Sequence, residues 1–153
     1  MRLYLIQHAE AKAKEEDPER RLTEAGEDSA RAMARHLRKL KLQVREIWHS
    51  GKLRAEQTAD IFAGALGQER AVKVRPHLDP MDDPAPVAGE LAARAQDLVI
   101  VGHLPHLSRL ASLLLTGSQG ELILFRNAGI VCLERSEQGW RLVWMLSEEA
   151  IAV

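Results

Sequence analysis

The chain of 153 residues contains one cysteine, Cys132, so no intrachain disulfide can form. The thiol falls in an apolar stretch, where a buried, unreactive role is expected. An excess of charge is also missing: 21 Lys and Arg stand against 22 Asp and Glu. Nothing global therefore points to nucleic acid or to a membrane surface as partner. Long apolar runs are absent too. Leu110 to Leu115 is far too short to span a bilayer. The apolar start is too short for a secretory signal and meets Glu10 and Lys12 at once. Repeats, low-complexity tracts and linkers are lacking, so residues 1–153 are expected to form one domain. Together these features fit a reducing, cytoplasmic setting.

What is present starts at the first residue. The apolar run Leu3 to Ile6 ends abruptly in Gln7-His8-Ala9-Glu10, the pattern of a buried strand. In an open α/β sheet, ligands sit beyond the carboxyl ends of such strands. A histidine there is well placed for chemistry, although alone it is weak evidence.

Residues 11–22 form a charged loop. Thr23 is a plausible N-cap for a helix over 24–40, with Ala30, Met33, Ala34 and Leu37 at helical spacing. Val44 to His49 reads as a strand, and Leu53 to Leu66 as a helix stopped by Gly67. A short strand follows over Ala71 to Arg75. After it comes an acidic loop, Asp79-Pro80-Met81-Asp82-Asp83-Pro84, then a helix from Pro86 to about Gln96. Leu98 to Val101 is a continuous apolar run, hence a central strand. It ends in Gly102-His103-Leu104-Pro105, and a helix over His106 to Leu115 comes next.

The remainder changes character. Leu122 to Phe125, Gly129 to Arg135 and Trp140 to Leu146 read as strands, the last two joined by the turn Ser136-Glu137-Gln138-Gly139. The pattern predicts a three-layer α/β fold. Its sheet is mainly parallel with helices on both faces, and the late hairpin adds antiparallel strands at one edge.

Three strand ends thus bring polar residues to one edge of the sheet. They supply Gln7 and His8, then Ser50 with Arg54, Gln57 and Thr58 on the next helix, then His103. Two histidines, an arginine and a helix N-terminus suit an oxyanion, above all phosphate or sulfate.

Four segments carry a family resemblance: Gln7-His8-Ala9-Glu10, Arg21-Leu22-Thr23-Glu24-Ala25-Gly26, Ser50-Gly51-Lys52-Leu53-Arg54-Ala55-Glu56-Gln57-Thr58 and Gly102-His103-Leu104-Pro105. In this order they resemble the motifs of the histidine phosphatase superfamily, with its phosphoglycerate-mutase-like fold. The short form resembles the SixA-type phosphohistidine phosphatases. The resemblance implies that His8 is the nucleophile, that Arg54 holds phosphate oxygens and that His103 donates to a further oxygen. It implies substrate contacts from Gln7, Ser50 and Arg20. It implies no metal and no cofactor.

A carboxylate acts as general acid in many relatives. Asp79, or its neighbours Asp82 and Asp83, could serve, although a solvated turn is the plainer expectation. Gln7 replaces the family's arginine, Ala9 its glycine and Gly51 its proline. Gln donates only neutral hydrogen bonds. Ala9 is expected to add a methyl where backbone nears the ligand.

The leading expectation is a phosphatase acting on a phosphorylated protein, or on a small phosphate ester, through phospho-His8. No insertion covers the site, which favours a phosphohistidine on a protein surface. A second expectation is a binding module with little turnover. A third is a metal site built from His103 and His106.

Overall fold

A computed structural model describes residues 1–151. Six strands form one sheet: β1 (Arg2–Gln7), β2 (Glu46–His49), β3 (Val72–Val74), β4 (Leu98–Gly102), β5 (Ile130–Ser136) and β6 (Gly139–Leu146). Their order across the sheet is β3-β2-β4-β1-β5-β6. The first four run parallel, while β5 is antiparallel to both β1 and β6.

Four main helices connect them: α1 (Glu24–Arg38), α2 (Leu53–Leu66), α3 (Ala85–Ala92) and α4 (His106–Thr116). Strand alternation sorts their partners. Tyr4 and Ile6 of β1 turn toward Met33 and Leu37 of α1 and Phe62 of α2. Leu3 and Leu5 turn toward Leu91 of α3 and toward Leu107 and Leu110 of α4. The three-layer arrangement follows directly. Cys132 is buried in β5, and that burial pushes its thiol up to about 11, so it stays protonated. No helix among the described residues is long and apolar enough to cross a membrane.

The topology itself makes a crevice. From β1 the chain passes through α1 to β2, and through α2 to β3, on one face. It then returns through α3 on the other face and inserts β4 between β1 and β2. The helices that follow β1 and β4 therefore leave on opposite faces, and the carboxyl ends of these neighbouring strands stay open between them.

Two expectations need correction. The helix expected to run to about Gln96 ends at Ala92. Leu122 to Phe125 forms no strand: Ile123 and Phe125 are buried, but no backbone ladder joins the segment to the sheet. Pairing needs a free sheet edge beside the segment, and β5 is already flanked by β1 and β6.

One glycine fixes the entry to the site. Thr23 caps α1, its Oγ accepting from the Gly26 N–H at 2.9 Å, and its own N–H donates to the Glu10 carbonyl at 3.0 Å. A Cβ on Gly26 would stand 2.1 Å from that carbonyl oxygen. Gly26→Ala should therefore destabilise by about 1–3 kcal/mol, as overpacking does. Gly64, in α2 with open space around it, supplies the contrast. Gly64→Ala should stabilise by about 0.5–1 kcal/mol, because alanine is the better helix former. Melting temperatures of the two variants check the opposite signs, and a stable Gly26→Ala would refute the close approach.

Candidate active site

His8 is the first residue beyond β1, and its backbone is held from three directions. Its N–H donates to the Gly102 carbonyl at 3.0 Å, which extends the β1–β4 ladder by one bond. Its carbonyl accepts from Asn127 Nδ2 at 3.0 Å. The next N–H, of Ala9, donates to Thr58 Oγ1 at 3.0 Å, and that hydroxyl donates to the Arg54 carbonyl at 2.8 Å. Thr58 thereby ties the end of β1 to the first turn of α2. The positions of His8 and Arg54 are coupled through the one hydroxyl of that side chain.

The ring of His8 is set just as firmly. Nδ1 lies 2.7 Å from the Ala9 carbonyl oxygen. A carbonyl can only accept, so Nδ1 carries the proton and Nε2 keeps its lone pair. Burial pushes the imidazole down to about 4, and Arg54 and Arg20 add to the depression against the opposing Ala9 bond. At neutral pH the ring is an uncharged base.

His103 faces it, with ring centroids 5.1 Å apart and planes inclined by 52°. Its Nε2 is 2.6 Å from Ser50 Oγ, and its Nδ1 is buried without a partner. Burial lowers its imidazole to about 3, helped by His8, Arg54 and Lys52. Ser50 also accepts from the Lys52 N–H at 3.3 Å, so one hydroxyl links β2's end, α2's start and His103.

Arg54 stands in the first turn of α2. Its Nε is buried and unpartnered. Burial and the neighbouring Arg20 lower its affinity for the proton, while Asp79 raises it. Among the described residues the main-chain N–H groups of Leu53 and Arg54 also lack partners, and no side chain caps the helix. Desolvated cation, open N–H groups and positive helix end coincide, as in anion sites. His8, Ser50 and Arg54 are part-buried and reachable from solvent, whereas His103 lies behind them.

The remaining expected residues divide. Arg20 adopts φ +53° and donates from Nε to the Lys12 carbonyl at 3.0 Å, close enough to act on His8 and Arg54. Asp83 accepts from the Ala85 N–H and from Gln119, and Asp82 accepts from the Asp79 N–H. Only the Asp79 carboxylate is left without a hydrogen bond among the described residues, and it lies within electrostatic range of Arg54. Gln57 is spent on structure, its Oε1 accepting from the Leu22 N–H at 2.8 Å.

Gln7 belongs with Leu3 and Leu5 on the α4 face by alternation. Its Oε1 is buried without a partner, and no hydrogen bond joins its side chain to His8, Arg54 or His103. The crowding expected of Ala9 does not occur: its methyl is fully buried in the core under α1 and α2, away from solvent. Gly51 takes φ +94° and donates its N–H to His49 Nδ1 at 3.0 Å. A proline could do neither.

The pairing of His103 with His106 gains no third ligand. Among the described residues no group of three or more His, Cys, Asp or Glu could hold a metal ion. Sequence reasoning missed Asn127 and Lys52. Asn127 is the only asparagine in the chain, the one signal that marked it.

Comparison with known proteins bears on the family and the fold. The chain is 33% identical over 147 residues to an uncharacterized protein of Picosynechococcus sp., covering 87% of this chain and 84% of that one. It is 28% identical over 152 residues to the phosphohistidine phosphatase SixA of Escherichia coli, covering 96% and 94%. A solved structure of the protein histidine phosphatase SixA complexed with tungstate superposes with a TM-score of 0.88 at 26% identity, covering 99% of both chains. The fold is thus the phosphoglycerate-mutase-like α/β fold. The family model for the histidine phosphatase superfamily (branch 1) matches residues 3–82, a span that holds His8, Thr23, Ser50 and Arg54, and the chain belongs to that superfamily.

Proposed function

We propose that the protein removes a phosphoryl group from phosphohistidine on another protein, through a phospho-His8 intermediate. The observation that carries this is the Nδ1–H bond to the Ala9 carbonyl, which leaves an unprotonated Nε2 beside Arg54 and His103. The likeness to a phosphohistidine phosphatase and to a tungstate complex supports it, since tungstate is a phosphate-like oxyanion.

In the first step Nε2 of His8 attacks phosphorus and the substrate's N–P bond breaks. Its imidazole leaves neutral once its other nitrogen is protonated. In the second step water attacks phospho-His8 and releases phosphate. Negative charge spread over the transferred oxygens is met by Arg54, the open N–H groups of α2 and His103. An alkoxide would need a proton on departure, a role we assign to Asp79, whose carboxylate acts electrostatically on Arg54. With imidazole the demand on Asp79 is smaller. The test is release of inorganic phosphate from a phosphohistidine peptide and from p-nitrophenyl phosphate, with and without chelator. Release from neither would sink the proposal.

The pH dependence has a definite sign. The nucleophile works as a neutral base, and its folded pKa is depressed to about 4. Its active form is complete at pH 6 and is lost only as pH falls through about 4. The acid limb of kcat/KM, which reports the free enzyme, is therefore expected near 4 after correction for substrate ionisation. A limb near 6.5 would show an imidazole exposed to water.

Gln7 favours a second reading, a module that binds phosphohistidine with little turnover. Gln7→Arg separates the two. A guanidinium curling over the strand end would bring charged donors to the site, and about 1.4 kcal/mol of extra transition-state stabilisation is a tenfold rate gain. Because the Ala9 methyl lies in the core, it offers no obstacle. Turnover is expected to rise by up to about tenfold, and a rate at or below wild type would make Gln7 part of a differently built site.

A further inference from the structure

His106 is a buried base that the two reaction steps do not use. It opens α4, three residues after His103, and is fully buried. Among the described residues neither of its ring nitrogens has a hydrogen-bond partner. A polar group taken out of water and left unbonded costs the folded state free energy. Leucine, already present as Leu107 and Leu110 in the same helix, would carry no such cost. A group kept at a cost calls for a reason outside packing.

Three polar groups of one turn act on the ring. Burial lowers its imidazole, and the Asp82 carboxylate, the His77 carbonyl and the Asp79 carboxylate raise it, while Arg109 of its own helix lowers it further. The His77 carbonyl is thus close to the ring without completing a hydrogen bond. Residues 77–82 are themselves tied together. His77 takes a left-handed φ of +65°. Leu78 is buried in the cluster that holds Leu107 and Leu110. Asp82 accepts from the Asp79 N–H at 3.0 Å, and its own N–H donates to the Asp79 carbonyl at 3.1 Å. The Asp79 carboxylate acts both on His106 and on Arg54, so the turn reaches from the buried ring to the anion site.

We propose that His106 is a positioning residue for the general acid: its ring N–H seats residues 77–82 through the His77 carbonyl, and the seated turn holds the Asp79 carboxyl at the leaving-group oxygen. The inference rests on the role assigned to Asp79 above. Hydrogen bonds that serve catalysis are often long before substrate binds and tighten in the complex. The neutral ring suits the task, because it has one N–H for the carbonyl and adds no cation beside Arg54. With an alkyl phosphate, the bond from His8 Nε2 to phosphorus forms, the P–O bond breaks and the Asp79 proton passes to the alkoxide oxygen. The water of the second step returns a proton to Asp79. p-Nitrophenolate leaves as the anion, and imidazole needs less help than an alkoxide. His106 therefore matters for alkyl phosphates and little for the other two.

The test measures kcat on phosphoserine, p-nitrophenyl phosphate and a phosphohistidine peptide, together with melting temperatures. His106→Leu is expected to lose about tenfold on phosphoserine, a part of the roughly 10²–10⁴ that a positioned acid supplies, and to keep its rate on the other two. Its melting temperature should hold or rise, because an unbonded buried imidazole is gone. His106→Asn and His106→Gln place an amide N–H near Nδ1 and near Nε2 in turn, and one of them should recover most of the phosphoserine rate. Asp79→Asn should show the same selective loss, and a larger one. Equal losses by His106→Leu on all three substrates overturn the proposal, as does failure of both amides to recover the rate. A His106→Leu that melts far below wild type makes His106 a packing residue and also overturns it. If Asp79→Asn shows the selective loss and His106→Leu does not, His106 alone is misassigned. A phosphoserine rate untouched in Asp79→Asn, or no turnover of phosphoserine by wild type, removes the acid itself and the task of His106 with it.

Discussion

His8→Ala is expected to lower phosphate release by about 10³-fold or more, because no second group can take over the covalent step. The fold should survive. The bonds that hold the main chain at residue 8, its N–H to Gly102, its carbonyl from Asn127 and the Ala9 N–H to Thr58, use only main-chain atoms of residues 8 and 9 and remain in the variant. Anion affinity should survive too, since Arg54, His103 and the α2 N-terminus are untouched. The measurement is rapid quenching with a labelled phosphohistidine peptide. Wild type should carry acid-labile label, and the variant none, while tungstate still raises the melting temperature of both. Full turnover by His8→Ala would remove phospho-His8 from the mechanism. Loss of tungstate binding as well would show that the imidazole is an anion ligand rather than the nucleophile.

The parts of this site that were legible in the sequence are those in which residue type and local pattern suffice. An apolar run that stops at His8 announces both a strand and its open end. Thr23 and Gly26 announce a helix start, and Arg54 a cation in a first helical turn. What stayed hidden depends on contacts far apart in the chain. Thr58 looks like a ligand residue on α2, yet it is used to bind the Ala9 N–H, a pairing 49 residues distant. The Ala9 methyl looks like an obstacle to the ligand, and only the packing of α1 and α2 shows that it faces the core. Leu122 to Phe125 has the composition of a strand, but pairing depends on a free sheet edge, which no local pattern reports. The insertion of β4 between β1 and β2, which brings His103 to His8, is likewise a property of the whole path of the chain.

Arg54→Ala is expected to cost activity and to spare, or even improve, stability. In the structure the guanidinium is drawn partly out of water, with a buried Nε that bonds to nothing, and Arg20 presses on it with like charge. A desolvated, unpaired cation is a cost to the folded state. Alanine removes that cost and is the best helix former at a position inside α2. The carbonyl that Thr58 needs stays in place, because it belongs to the backbone. Catalysis moves the other way. A preorganised donor at developing negative charge is worth about 2.7–4 kcal/mol, so kcat/KM should fall by about 10²–10³. Arg20→Ala should cost much less, because its Nε is already engaged by the Lys12 carbonyl. Arg54→Lys should recover little, since an ammonium lacks the planar fork that holds two phosphate oxygens. The checks are steady-state kinetics and thermal melts of the three variants. Equal losses in Arg54→Ala and Arg20→Ala would place the phosphate elsewhere. A large drop in melting temperature for Arg54→Ala would mean that the side chain supports the fold, and its lack of a partner would have to be satisfied by a group that only an occupied site provides.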